Sequence, residues 1–180
     1  MNNLFLIILL FVNAIISVVN AQSVHLLERL PKDYDQLEFK IVGEAKFSVL
    51  FWDIYNSSLY TKSGKYRDNS EPVMFKIEYL KDITAEDLIE RTVQQWQHLK
   101  RSKSQFTPYI SKLKAIWPNI SAGDSLTLLV ENEQSIFYFN NEIIGVIEEQ
   151  EFSQLFLDIW LSPETSQASL RMKLLKGNKI

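Results

Sequence analysis

The sequence contains no cysteine, and it has only two histidines and five glycines in 180 residues. Without cysteine the fold holds no disulfide, so its core depends on packing alone. His25 and His98 lie far apart and have no neighbours at metal-ligand spacing, which argues against a zinc site and against a serine–histidine–aspartate hydrolase. The glycines form no cluster, which argues against a phosphate-binding loop. We therefore expect neither a metal nor a cofactor.

The chain also has little excess charge of either sign, with a formal net charge of −3 at pH 7. Such a mild acidic balance does not favour nucleic acid or an anionic membrane as a partner. A small basic cluster at Lys100, Arg101 and Lys103 is typical of the solvated end of a helix. We expect no nucleic-acid partner.

The longest hydrophobic run lies near the start of the chain, from Leu4 to Val12. Small or modest residues follow at Val19-Asn20-Ala21, which gives the outline of a secretory signal peptide. We predict a signal over residues 1–21, a single domain over residues 22–180, and a periplasmic or secreted location. The alternative is an uncleaved membrane anchor, but spanning needs about 20 apolar residues and this run is shorter and interrupted.

Hydrophobic periodicity predicts two blocks of strands, each followed by two helices. Residues 46–60 are apolar on both faces, which fits either a central strand covered on both sides or a long hairpin arm. Blocks of strands and helices indicate an α+β fold, with a largely antiparallel sheet and helices packed on one face. The cleft between the layers is the default ligand site. The predicted strands are residues 37–42, 46–60, 73–79, 125–131, 135–139 and 143–147, and the predicted helices are residues 84–99, 104–117, 152–161 and 166–175.

Short local signals predict how these elements begin and end. Thr84 followed by Asp87 is typical of a helix N-cap with an acidic first turn. Pro108 is expected in the first turn of the second helix, and Ser166 is expected to cap the last one. Asn140-Asn141 predicts the tip of a hairpin.

Aromatic and cationic side chains supply the candidates for a binding site. The four tryptophans fall on predicted apolar faces, where such residues belong to the core more often than to a ligand platform. Arg91 and Arg171 border the inward faces of their helices, where an arginine can clamp a carboxylate. A structural salt bridge to a neighbour is the more common role, and we favour it for each of the two. The tryptophans are Trp52, Trp96, Trp117 and Trp160.

Most of the predicted domain, from about residue 37 to 175, resembles the chalcone isomerase-like superfamily, specifically its exported bacterial branch. That resemblance implies an open-faced β-sandwich with helices laid over it, in agreement with the order of elements. It rests on Gly43–Tyr55, Leu59-Tyr60, Phe75–Leu80, Ile83–Leu88, Trp117-Pro118, Ala122–Asp124, Phe137–Asn140, Gly145, Phe152, Phe156, Ile159–Leu161, Thr165, Leu170-Arg171 and Leu174-Leu175.

The resemblance implies an enzyme site of arginine, threonine, tyrosine and asparagine in true chalcone isomerases, which close a chalcone to a flavanone without a cofactor. This chain lacks most of that set. The threonine position falls on about Leu50, the arginine position on Leu37 or Glu38, the tyrosine position on Thr84 or Ala85, and the asparagine position on Arg91. Other members of the superfamily bind fatty acids, with arginine and tyrosine holding the carboxylate.

Three functions remain open, in this order. The first is an exported, non-catalytic binder of an apolar or carboxylate-bearing small molecule such as a fatty acid, with Arg91, Leu50, Trp52 and Arg171 as ligand-binding residues. The second is an interaction module for an envelope protein, with the cleft filled by its own side chains. The third is a cofactor-independent isomerase or lyase with a non-standard residue set, for which Tyr55, Tyr79 and Thr84 are the weak catalytic candidates.

Overall fold

The computed structural model describes residues 38–67 and 71–176. The predicted signal over residues 1–21 and His25 lie outside these ranges. Six antiparallel strands form one sheet in which each strand pairs with the next along the chain. The strands are β1 (Lys40–Val49), β2 (Trp52–Thr61), β3 (Val73–Tyr79), β4 (Ser125–Glu131), β5 (Gln134–Phe139) and β6 (Glu142–Ile147).

Two pairs of helices interrupt and follow this meander. Helices α1 (Ala85–His98) and α2 (Lys103–Ile116) connect β3 to β4, and α3 (Gln150–Leu161) and α4 (Ala168–Leu174) follow β6. This order confirms the predicted α+β class with an antiparallel sheet and two helix pairs. Within the described residues, no helix is long and apolar enough to cross a membrane.

The segment predicted as one long strand, residues 46–60, is a hairpin. The chain reverses at Leu50-Phe51, where Val49 pairs with Trp52 in a two-residue loop. Leu50 takes a positive φ of 55°, a conformation in which glycine or asparagine is usual. Since neither residue stands there, the sequence carries no turn signal. Of the two alternatives for this segment, the single covered central strand is wrong, and the residues on either side of the loop are arms of a hairpin.

The ends of the helices agree with the sequence in part. Thr84 caps α1, and its hydroxyl oxygen accepts the Asp87 amide at 3.1 Å as predicted. Pro108 lies further inside α2 than the first turn. Ser166 does not cap α4, whose N-cap is Gln167. The Ser166 hydroxyl instead donates to the Gln95 side chain at 2.7 Å, which ties the α4 approach to α1.

The hairpin at Asn140-Asn141 forms as predicted, with φ of 48° and 73°. The Asn140 amide group donates to an Asp124 carboxylate oxygen at 2.7 Å, and its side-chain oxygen accepts the Ser125 amide at 2.8 Å. The first of these bonds lowers the pKa of Asp124 below its usual value. One asparagine therefore shapes its own turn and joins it to the turn that precedes β4.

The helices bury an aromatic layer against the sheet. The Trp96 indole donates to the Leu155 carbonyl at 2.9 Å, which fixes α1 to α3. At the other edge α4 packs on β1 so closely that a Cβ at Gly43 would overlap the carbonyl oxygens of Lys173 and Leu174. The buried tryptophans and phenylalanines of the layer are Trp96, Trp117, Trp160, Phe75, Phe106, Phe137, Phe152 and Phe156.

Candidate functional site

The predicted cleft between sheet and helices is occupied by the protein's own rings. Trp117 lies 5.8 Å from Phe137, between ring centroids, and Phe156 lies 5.3 Å from Trp160. A surface hollow of about 520 Å³ lies elsewhere, lined by Ser63, Lys65, Arg67 and Glu71. An apolar ligand therefore has no ready volume between these central rings.

Tyr55 lies where the first hairpin meets α3. The Trp160 indole donates to the Tyr55 hydroxyl oxygen at 2.9 Å. The Tyr55 ring stacks on Phe47 at 5.1 Å and meets Tyr79 edge-on at 6.1 Å. Burial raises the pKa of Tyr55 to about 12, against the lowering effect of the Trp160 bond. The hydroxyl is thus protonated at neutral pH, and no described residue accepts its hydrogen.

Arg171 lies half-buried on α4, where its Nε donates to the Leu161 carbonyl at 2.7 Å. No described carboxylate lies within ion-pair distance of its guanidinium, so the salt bridge we favoured is not seen there. Leu161 directly follows Trp160, the partner of Tyr55. Two consecutive residues at the end of α3 therefore hold the neutral Tyr55 hydroxyl and the half-buried Arg171 guanidinium.

Arg101 shows the contrasting case. It forms an ion pair with Asp158, whose side chain is largely buried on α3. Of the cluster predicted as the solvated end of a helix, Lys100 and Lys103 are exposed, whereas Arg101 is partly buried in this ion pair. Arg101 already has a carboxylate partner, whereas Arg171 has a main-chain carbonyl.

Arg91 lies on the exposed face of α1, and its Nη1 donates to Gln94 at 2.9 Å. It does not border the packed interior, contrary to the helical-wheel expectation. The buried residues of α1 are Ile89, Thr92 and Trp96, and Arg91 lies beside this face without being part of it.

Leu50 and Trp52 lie at the tip of the first hairpin rather than in the cleft. Leu50 is 88% exposed and Trp52 is 61% exposed. The expectation that all four tryptophans are core residues is therefore wrong for Trp52, while the other three are buried. The Lys81 ammonium lies 4.3 Å from the centre of the Trp52 ring.

The three weak catalytic candidates are not assembled into one site. Tyr55 and Tyr79 are neighbours, but Thr84 caps α1, and its hydroxyl bonds Asp87 at 2.7 Å. Burial, and to a smaller extent Tyr55, raises the pKa of Tyr79 above its usual value. A raised pKa makes a tyrosine a poorer base at neutral pH, not a better one.

Sequence reasoning missed Phe47 and the bond between Trp160 and Tyr55. The two bonded residues are 105 positions apart, and no local pattern reports so distant a pairing. Phe47 lies within the segment predicted as a strand, residues 46–60, and it is not among the predicted site residues. The alternation that placed it there does not show that its ring lies half-buried against Tyr55.

Comparison with known proteins identifies the family. The sequence profile of the chalcone isomerase-like family matches residues 19–176. The chain belongs to this family. This chalcone isomerase-like protein is also 23% identical to an uncharacterized protein of Haemophilus influenzae over 138 residues, which cover 77% of this chain and 68% of that one.

Among solved structures, the fold is similar to that of a fatty-acid binding protein of Arabidopsis thaliana. The TM-score is 0.61 at 12% sequence identity, over 81% of this chain and 90% of the other. At that identity the likeness shows the shared fold alone. The resemblance read from the sequence is therefore confirmed at the level of family and architecture.

Proposed function

We propose that this chalcone isomerase-like protein binds, without transforming it, an apolar molecule that bears a carboxylate, of the fatty-acid class. The observation that carries the proposal is Arg171, a half-buried guanidinium that bonds a main-chain carbonyl and no described carboxylate. A cation in such a position has lost part of its hydration, and an anionic ligand restores it with strong, charge-assisted hydrogen bonds.

Tyr55 supplies the second polar contact in this proposal. Because its pKa is raised to about 12, the hydroxyl remains a hydrogen-bond donor throughout the physiological range. The Trp160 indole already occupies one lone pair of the hydroxyl oxygen. That bond directs the hydroxyl hydrogen away from Trp160, towards an acceptor such as a carboxylate oxygen.

The apolar part of the ligand would lie along the half-buried outer edge of the aromatic layer. Phe47 and Tyr55 are stacked there and are only partly buried, while the rings deeper in the layer already contact one another. A tail that covers this edge removes apolar surface from water at about 25 cal/mol per Å². The fatty-acid binding protein that shares the fold supports this ligand class.

Oleic acid and its methyl ester provide the test. We expect the acid to bind and the ester to bind much more weakly, because the ester removes the charge that Arg171 recognises. Arg171→Gln should weaken oleate binding about ten- to hundredfold, as for the loss of a hydrogen bond to a charged group. Isothermal titration calorimetry measures the affinities for acid and ester, in the parent and in the variant.

Arg91→Gln is the matched control, because Arg91 is an exposed arginine on a neighbouring helix. It should leave oleate affinity unchanged. Equal binding of acid and ester, or equal losses in the two arginine variants, would contradict the assignment of Arg171.

An interaction module is the second candidate, and the filled interior favours it. A layer packed with the protein's own aromatic rings, such as Phe137, Phe152 and Phe156, needs no ligand for its stability. If oleate fails to bind and no lipid is found by mass spectrometry after native extraction, this second function becomes the better one.

We also propose that the protein is exported and that its signal is removed after Ala21. The apolar run from Leu4 to Val12 and the small residues before Gln22 support this. N-terminal sequencing of the protein from the extracytoplasmic fraction should begin at Gln22. A cytoplasmic protein that begins at Met1 would contradict it.

A further inference from the structure

The tip of the first hairpin, residues 49–52, is the most exposed apolar segment of the described chain. Phe51 is 98% exposed and Leu50 is 88% exposed, with Val49 at 47% and Trp52 at 61%. Single exposed apolar residues are common on protein surfaces, but four in succession at a projecting loop are not.

Folding does not explain these residues. Leu50 has φ of 55°, which strains any residue with a Cβ, and glycine is normally found at the first position of such a loop. Its side chain is almost wholly in water, so it gains no packing in return. Packing within the described residues therefore gives no reason for two apolar side chains in this loop.

Polar groups form a collar directly behind the tip. The Asp53 carboxylate accepts from the Lys46 ammonium at 2.8 Å and from the Ser48 hydroxyl at 2.6 Å, across the hairpin. Directly after the end of β3, the Leu80 amide donates to the Ile54 carbonyl at 2.8 Å, which brings Lys81 beside Trp52. Lys46 forms an ion pair with Asp53, and the adjacent Lys81 and Asp82 carry opposite charges, so the formal charges of these four residues sum to zero.

We propose that this hairpin tip inserts into the interface of a phospholipid bilayer, with Leu50 and Phe51 reaching the acyl boundary. The order of groups along the hairpin favours a bilayer over a protein partner. Aliphatic and phenyl groups lie outermost, and tryptophan, the residue enriched at headgroup level, lies next. Lysine ammonium groups follow where lipid phosphates lie. A two-residue convex loop offers little area for a protein interface, which needs roughly 800 Å² per partner.

The test uses the full chain, vesicles of phosphatidylcholine, and the same vesicles with brominated acyl chains, which quench nearby tryptophan fluorescence. Trp96, Trp117 and Trp160 are at most 8% exposed, and the chain has four tryptophans in all. Trp52 therefore reports insertion of the tip, whatever other part of the chain meets the vesicle. We expect quenching in brominated vesicles and a shift of emission to shorter wavelength in the unlabelled ones.

The variant Leu50→Gly with Phe51→Ser removes the apolar tip and keeps Trp52. It should fold, because glycine suits the positive φ at the first loop position. It should lose most of the quenching, since two large apolar groups no longer enter the bilayer. Met172→Ser is the matched control, because Met172 is 67% exposed on α4. It should quench as the parent does.

Other outcomes overturn the proposal. These are an absence of quenching in the parent protein, equal quenching in the loop variant, or quenching only with anionic lipid, which the balanced collar does not predict. A change of oligomeric state in the loop variant without any vesicle effect would assign the tip to a second copy of the chain. The vesicles contain no free fatty acid, and Arg171→Gln should insert normally, so failure here is distinct from failure of the ligand-binding proposal.

Discussion

Two hairpin loops of the same sheet each reverse the chain in two residues, one with polar residues and the other with apolar ones. At Asn140-Asn141, two residues that tolerate a positive φ make the turn, and Asn140 bonds both Asp124 and Ser125. At Leu50-Phe51, a leucine takes a positive φ and both side chains project into water. The Asn140-Asn141 loop is built from residues that favour its backbone conformation. The Leu50-Phe51 loop keeps its conformation although its residues disfavour it.

This difference separates residues that serve the fold from residues that serve a contact. The asparagine loop stabilises the sheet end where β4, β5 and β6 meet. The leucine loop depends on the strands behind it, where Tyr55 is packed against Phe47 and bonded to Trp160. Sequence chosen for folding alone would place glycine or asparagine in both loops.

The largest effect is expected when the asparagine loop is made to resemble the leucine loop. Asn140→Leu removes the bonds to Asp124 and Ser125 and places a bulky residue at a φ of 48°. We expect a loss of about 2–3 kcal/mol in the free energy of unfolding, measured by urea denaturation. Asn140→Gly keeps the backbone freedom and loses only the bonds, so its loss should be smaller. Equal stability of Asn140→Leu and the parent would show that this loop is no better built than the other.

The same two loops mark what could be predicted from the sequence. The asparagine pair, the Thr84 cap and the helix predicted over residues 152–161 rest on local signals, and the structure confirms each of them. The reversal at Leu50 was missed because propensity places no turn between apolar residues, and tertiary pairing of β1 with β2 overrides it.

The candidate site was predictable only as a set of residue types. Arg171 was identified because it borders a helix face, but its contact with the Leu161 carbonyl depends on how α4 packs against α3. Arg91 has a similar sequence context and lies in water. The sequence shows the apolar face of a helix, but packing of the whole layer determines which residues at the border of that face are buried.

A smaller effect is expected at alkaline pH, where Tyr55, on the strand that follows the Leu50-Phe51 loop, titrates. Tyrosine has a pKa near 10 in an unfolded chain, and burial raises the pKa of Tyr55 to about 12 in the fold. Between these values the unfolded chain loses a proton that the folded chain keeps, so the free energy of unfolding falls as pH rises. We expect a fall of about 1–2 kcal/mol between pH ~9 and pH ~11.5 from this group.

Urea denaturation across that pH range measures the fall, and Tyr55→Phe should make it shallower because the titrating group is gone. Tyr60→Phe is the control on the same strand, since Tyr60 faces away from the aromatic layer, with its partner Met74. Identical slopes in the parent and in Tyr55→Phe would show that the root of the first hairpin opens before Tyr55 ionises.

The smallest effect, and the one of opposite sign, is expected for Leu50→Gly. A leucine in the left-handed conformation costs about 1–2 kcal/mol, and glycine removes this strain. Glycine also increases the conformational entropy that the chain loses on folding, which offsets part of the gain. The net result should be a gain of about 0.5–1 kcal/mol in the free energy of unfolding, measured in urea. Removing the Leu50 side chain costs little packing energy, because Leu50 is 88% exposed. A stabilised variant that no longer inserts into vesicles would show that the parent retains leucine at a cost in stability, for the sake of the contact its tip makes. A destabilised variant would mean instead that the leucine side chain supports the hairpin, and the contrast between the two loops would then be one of degree.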